Sequence, residues 1–422
     1  MISPRPPHTR AGSSGRFARA AGPQYKGSRG DHPPWRVQGG ALPKMKRKIT
    51  TPSPKRELMA AAFFAVMAVG LMLLPTGFED RLPQDTQAVR AQVLSTDNAN
   101  VHQYGLVFEG DQRVTARIMD GEFAGQQVSA DNLFLGKLEL DKLFKPGDTA
   151  LVALTLAQGK IINAVAQDYY RLDQHWLLLG LFGLLLVAYA GATGLRAMLG
   201  FVLSGLLIWK VMVPLFLKGY DPIWVTLAVL AVLMAAVLFL VGGINRKALT
   251  AYLGSLLGVL ATCGLAIVFA KSMGLHGSVL PYAETLLYSG YAQLDLTRIF
   301  LATIFLGASG AVMDLAMDVA ASQAELARHN PGLGSWRLCL SGLRVGRVVV
   351  GTMTTTLLLA YSGAALALLM VFMAQGVPLA NVFNMNHVSA EVLNTMVGSL
   401  GLVLVAPFTA VVGATLLAGN KA

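Results

Sequence analysis

Long apolar runs separated by short polar connections make up most of this chain, and a single polar stretch interrupts them. The first run is Leu58 to Pro75, directly after Lys55 and Arg56. At about 1.5 Å rise per residue it is long enough to cross a bilayer. The sequence PTGFEDRLP behind it offers no small-residue cleavage site, so the run predicts an uncleaved anchor. Further runs follow at Trp176–Leu195, Met198–Leu217, Ile223–Gly243, Leu249–Ala270, Ile299–Asp318, Val348–Gly376 and Val392–Gly419. The pattern predicts an all-α membrane bundle of about eight transmembrane helices: an anchor over 58–75 and a seven-helix domain over 176–419.

The polar stretch, residues 77–174, changes period. Val89, Ala91 and Val93 alternate with polar residues, as do Val114, Ala116 and Ile118, which is the strand period of two. Pro146-Gly147-Asp148 and Gln158-Gly159 read as turns ahead of strands. Five or six short strands with no helix predict a small barrel or sandwich, inserted between the first two spans as an extracytoplasmic β-rich domain.

Charge orients this arrangement. Lys and Arg collect in cytoplasmic connections. With the N-terminus inside, the inner connections carry Arg196, then Arg246 and Lys247, then Arg328, Arg337, Arg344 and Arg347, and finally Lys421. The short outer ones carry only Lys218, Lys271 and Arg298. Eight spans return the C-terminus to the cytoplasm, which predicts a multi-pass protein of the cytoplasmic (inner) membrane with both termini inside. Trp176, Tyr169, Tyr170, Tyr220 and Trp224 fall at outer boundaries, where interfacial aromatics anchor spans.

Composition agrees: 54% of residues are hydrophobic and only 14% charged. The formal net charge of +11 suggests nucleic acid until it is located. Residues 1–57 hold 13 Lys or Arg against Asp31 and Glu57, so the excess sits in a basic cytoplasmic tail, expected to be disordered, and no nucleic-acid partner is expected. Met45 opens an ordinary basic flank, so 1–44 also reads as a mis-called extension. Cys263 falls in a predicted helix and Cys339 in a predicted cytoplasmic loop, without metal-ligand spacing.

Candidate chemistry concentrates in GASGAVMDLAMDVAASQAELARHN. Asp314 and Asp318 are four residues apart and share a helix face. At about 100° per residue, Gly307, Gly310, Ala321 and Glu325 join that face. A carboxylate inside a span costs at least ~2.5 kcal/mol near its centre and normally faces a bundle interior or an aqueous cavity. Gly307 and Gly310, with Gly363 on the next span, are small enough for close helix packing. Asp318 and Glu325 are near the inner end and equally read as solvated. The next span places Thr352, Thr355, Thr356 and Gly363 within roughly one face. Hydroxyls beside a carboxylate can hold a hard cation or pass a proton, whereas membrane threonines equally bond their own backbone one turn back. Asn394, Thr395 and Ser399 add a weaker polar face. Lys210 lies inside a span and either pairs with Asp314 or snorkels to the surface. The loop RHNPGLGSWRLCLSGLRVGR alternates basic and apolar residues, as a segment on the inner membrane surface does.

GASGAVMDLAMDVAASQAE at 307–325 and RVGRVVVGTMTTTLLLAYSGA at 344–364 resemble the YibE/F family of bacterial membrane proteins. The resemblance covers roughly residues 58–417 and implies a multi-pass membrane protein, without an activity to carry over. The family pattern often has Asp where Val348 stands and Asn where Thr355 stands; Asp314 and Asp318 match it.

These residues point first to a transporter or permease for a small solute or ion, with Asp314 and Asp318 and the threonines as its site. The alternative is a non-transporting scaffold or partner subunit, in a homo- or hetero-oligomer with a related membrane protein, whose external domain binds another envelope protein. An enzyme is not expected. Both carboxylates lie on one helix, and no His-Glu-x-x-His, Ser–His or Gly-rich phosphate motif appears in the spans. No cofactor is expected; the substrate, the coupling ion and any bound metal stay open.

Overall fold

The structure is a computed structural model and describes residues 54–78 and 85–418. The basic tail expected over 1–57 lies outside the described residues apart from 54–57, and Lys421 lies outside them too.

Helix α1 (Pro54–Leu73) leads into six strands: β1 (Thr86–Asp97), β2 (Val101–Tyr104), β3 (Val107–Ile118), β4 (Gln127–Leu135), β5 (Thr149–Ala157) and β6 (Lys160–Tyr169). The sheet runs β1-β5-β6-β4-β3 and returns to β1 through a β1–β3 ladder, while β2 hairpins onto β3. Five strands therefore close a barrel, of the kind OB-folds use. The alternation read in the sequence is the reason: Val89, Ala91, Val93, Val114, Ala116 and Ile118 all point into its core. Most inward residues are small, and Phe144 fills what they leave. Gln158 and Gly159 turn β5 into β6 with φ of 51° and 71°, the left-handed pair of a type I′ hairpin.

One buried polar cluster holds the loop before β5 onto the barrel. Gln112 Nε2 donates to Phe144 O (2.9 Å) and Asn98 Oδ1 (2.8 Å), and Gln112 Oε1 accepts from Phe144 N and Asn132 Nδ2. Gln112→Leu would leave the buried Phe144 backbone groups without partners, each worth about 1–3 kcal/mol. We expect the urea midpoint of the β-sheet signal to fall accordingly, by roughly 2–4 kcal/mol of stability; an unchanged midpoint would count against this account of the loop.

The barrel is tied to helix α2 (Leu172–Ala190). Arg90 of β1 pairs with Asp173 at 3.0 Å and lies over the Tyr170 ring. Burial alone would raise the Asp168 carboxyl, but hydrogen bonds from Arg171 and the Tyr169 N–H outweigh it and hold the group below its ordinary value.

The remaining helices are α3 (Ala192–Leu207), continued through a π-helical stretch at Ile208–Met212 into α4 (Val213–Leu217), then α5 (Pro222–Gly242), α6 (Arg246–Ser272), the short α7 (Ala283–Tyr288), α8 (Leu296–His329), α9 (Ser335–Ala364), α10 (Leu366–Ala374), α11 (Leu379–Asn384) and α12 (Asn386–Leu416). Among the described residues seven helices are long and apolar enough to cross a membrane: α2, α3–α4, α5, α6, α8, α9 and α12. α1 supplies a shorter apolar stretch, Glu57–Leu73, where the sequence pattern counts an eighth span.

Successive spans alternate in direction. At the end away from the barrel, Glu57 of α1 pairs with Arg196 of α3 (2.9 Å), which also donates to Leu240 O near the end of α5. At the barrel end, Arg298 of α8 pairs with Asp221, the N-cap of α5 (2.7 Å). Lys210 Nζ donates to Leu74 O just past α1 (3.0 Å), so it reaches the surface rather than Asp314.

The run expected over Val348–Gly376 divides at Ala365 into α9 and α10, α8 continues past Asp318 to His329, and two helix starts lie well ahead of their apolar runs. The segment expected as a surface loop before 348 is already helical from Ser335, and Leu338 and Cys339 are buried in α9. The last span starts at Asn386 rather than Val392. In both cases packing against neighbouring helices extends a helix beyond its apolar run.

The densest packing joins α6 and α12, and it is built on glycine. Thr262 of α6 sits against Gly401 of α12, Thr409 of α12 sits against Gly254 of α6, and Val405 fills the space over Gly258. At the far end Gln323 of α8, fully buried, fills the space over Gly413. Its Nε2 donates to Leu338 O (3.0 Å) and Ala410 O (2.9 Å), bridging α9 and α12. Gly310 and Gly363, expected as packing positions, have nothing within 4 Å of where a Cβ would stand. Gly307 alone of the three makes room for a neighbour, the Tyr361 hydroxyl of α9.

Candidate functional site

The shared face of α8 forms as the spacing requires, and its surroundings decide what it does. Thr303, Gly307, Gly310, Asp314 and Asp318 are all exposed, whereas their neighbours Ile304, Ala308, Val312, Leu315 and Val319 are buried. Met317 lies against Gly242 of α5, and Val319 lies near Gly346 of α9. Asp318, between them in sequence, therefore points into the gap between α5 and α9. The acidic stripe lines an open groove rather than the packed interior of the chain. Asp314 and Asp318 have no ion pair or hydrogen bond among the described residues. Glu325, one more turn along, is exposed and engaged by Arg328 and His329, as a solvated end group would be.

The threonines divide. Thr352 donates to Val349 O (2.9 Å) and Thr356 to Thr352 O (3.2 Å), both within their own helix. Thr355 is exposed and its hydroxyl has no such partner, so it is the one of the three left free to meet a solute. All three are on the exposed side of α9, well around the helix from Tyr361, so the structure does not bring them to the aspartates.

Toward the barrel end the stripe runs under a cover. Tyr361 of α9 crosses it, its hydroxyl 2.8 Å from where a Cβ on Gly307 would stand. Beyond Tyr361 lie two cavities of about 290 and 310 Å³ that share Ala365, Leu368 and Glu391. Tyr361 and Thr395 line the first; Thr303, His387 and Asn394 line the second. Glu391 and Asn394 lie on one face of α12, three residues apart. The Asn394 Oδ1 is buried and accepts no hydrogen bond, and Glu391 has neither an ion pair nor a hydrogen bond among the described residues. This carboxylate is absent from the sequence reading because the last apolar run begins one residue after it. The Glu391-x-x-Asn394 spacing, which extends the weaker polar face of Asn394, Thr395 and Ser399, was the available signal.

Thr303 belongs to both the cavity and the stripe. A single line of small and polar residues thus descends one face of α8 from a carboxylate-bearing cavity, past Tyr361, to two unpaired aspartates. No group of three or more His, Cys, Asp or Glu side chains among the described residues is arranged to hold a metal ion.

The apolar helices and this arrangement define a multi-pass helical membrane protein. A family model described as YibE/F-like protein matches residues 178–419, and the chain belongs to that family. The match takes in α3 to α12 and most of α2; α1 and the barrel lie outside it, a narrower range than the 58–417 suggested by the two motifs. Comparison with curated proteins and with solved structures gives no match.

Proposed function

We propose that this protein is a permease for a small solute or ion, coupled to protons or a monovalent cation, with Asp314 as its central carboxylate. The continuous polar line along α8 carries this reading. From Thr303 to Asp318 it extends about 22 Å at the helical rise, a large part of a hydrocarbon core roughly 30 Å thick. An unpaired carboxylate at such depth is tolerated where water or a solute reaches it. Tyr361 supplies a hydroxyl beside the line. We place the end bearing Arg196, Arg246 and Arg347 in the cytoplasm, because basic residues gather there, with both chain termini on that side and the barrel outside. No catalytic role is proposed. In proteoliposomes carrying a pH-sensitive dye, the full chain should move protons or Na⁺ down an imposed gradient. Absence of both fluxes removes the coupling proposed here.

A second reading is favoured by one observation: the groove holding Asp314 and Asp318 is open to the side. Gly346 of α9 packs near Val319 of α8, which sets Arg347 at about the depth of Asp318, and Arg347 is likewise exposed and without an ion pair among the described residues. A second copy, or a related subunit, turned about the membrane normal would meet the groove at equal depth and pair these charges. The chain is then a partner subunit rather than a permease. A cysteine at position 318 would be shielded from aqueous reagents and would cross-link to one placed at position 347 of another chain.

A further inference from the structure

We propose that the cavity beneath α10 binds a primary ammonium group carried on an apolar body about one ring in size. The inference gives the permease reading a substrate class, and depends on that reading only for what binding accomplishes. The walls come from α8, α10, α12, the Ala365 link before α10 and the Val279–Pro281 turn, and they are mostly apolar: Leu280, Pro281, Phe300 and Leu368. About 310 Å³ is at the lower end of the range for small-molecule sites. Within this apolar wall stand the Glu391 carboxylate and the Asn394 Oδ1, neither accepting a hydrogen bond from the chain. The cavity therefore offers one negative charge and the two carboxylate oxygens of Glu391 without donors, while the Asn394 Oδ1 beside them is closed off from it.

A primary ammonium supplies one positive charge and N–H donors for both carboxylate oxygens, and so matches them. Hydrogen bonds to charged groups are the stronger kind. A hard divalent cation fits less well, since it takes six or more oxygen ligands. Thr303 adds only one hydroxyl, already donating to Phe300 O. The Phe300 ring lines the same cavity as the carboxylate, and an aromatic wall favours an organic cation. His387 stands exposed at the rim, where solvent reaches it.

The test is calorimetric titration of the full chain in lipid nanodiscs with 2-phenylethylamine and with its uncharged counterpart 2-phenylethanol. The amine should bind saturably and the alcohol roughly tenfold or more weakly. Glu391→Gln should weaken the amine by a similar factor, while Glu284→Gln, an exposed carboxylate on α7 outside the cavity, should leave it unchanged. If Glu391→Gln does not accumulate, Leu368→Trp, which fills the cavity from its apolar wall, should abolish binding instead. Lack of saturable amine binding, equal binding of the alcohol, or full affinity in the Glu391→Gln or Leu368→Trp protein would overturn the proposal. Amine binding without flux of any solute would uphold the site and remove the permease reading; proton or Na⁺ flux without amine binding would do the reverse.

Discussion

Gly413→Ala should strip the protein of several kcal/mol of stability although it adds a single methyl group. That methyl would fall on Gln323 Oε1 and about 3.2 Å from Thr250 Cγ2, both on fully buried side chains. Gln323 cannot swing aside freely, because its Nε2 is held by the carbonyls of Leu338 and Ala410. Overpacking a filled core costs about 1–3 kcal/mol. Losing hydrogen bonds to buried carbonyls adds about 1–3 kcal/mol for each group left unsatisfied. A lowered unfolding temperature in detergent and reduced accumulation in membranes are the expected readouts. Gly310→Ala, with open space around the new methyl, should match wild type and also serves as the control for alanine on a helix. Adding Gln323→Ala to Gly413→Ala should recover part of the loss, since the two changes share one contact and their effects should not add. Equal stability of Gly413→Ala and Gly310→Ala would mean that α6, α8 and α12 do not meet as closely as described.

The second large effect is functional. Asp314→Asn keeps shape and some hydrogen bonding while removing the charge, and Asp314→Leu removes both. Asp314 is exposed on the groove and has no ion pair or hydrogen bond among the described residues, so neither change breaks a buried interaction. Both proteins should insert and accumulate normally. Both should lose proton or Na⁺ flux by at least about tenfold, since a carboxylate that binds the moving cation has no substitute nearby and ~1.4 kcal/mol already corresponds to that factor. Asp318→Asn should be milder, because water near the membrane boundary can replace lost partners. Wild-type flux in Asp314→Leu would reduce the acidic stripe to a packing or assembly feature.

Much of this architecture is written in local pattern. The period-two runs around Val89 and Val114 become barrel strands, and the turn residues Gln158 and Gly159 become a hairpin, because strand alternation and turn geometry depend on near neighbours. The same holds for the shared face of Asp314 and Asp318, fixed by helical spacing alone. What that face looks at depends on α5 and α9, which are distant in sequence, so spacing cannot reveal an open groove. Small residues mislead for a related reason. Gly310 and Gly363 could admit a neighbour but none arrives, while Gly254, Gly401 and Gly413 receive Thr409, Thr262 and Gln323. Thr352 and Thr356 turn inward to their own helix, a local competition that the sequence leaves open. Glu391 is hidden because α12 starts after Met385 without a side-chain cap, so no capping residue marks where the helix begins.

The central claim, that water and solute reach a line along α8, is tested most directly by substituted-cysteine labelling in intact membranes. Single cysteines at positions 303, 307, 310, 314 and 318 should react with a membrane-impermeant thiol reagent applied from one side or the other. Cysteines at positions 304, 308, 312 and 315, one step around the helix and buried, should not. The native Cys263 and Cys339 are both buried and should give little background. Labelling that follows the stripe with helical period is the predicted result. Protection of 310, 314 and 318 from aqueous reagents on both sides would contradict it, and would leave the groove as a surface for lipid or for another chain.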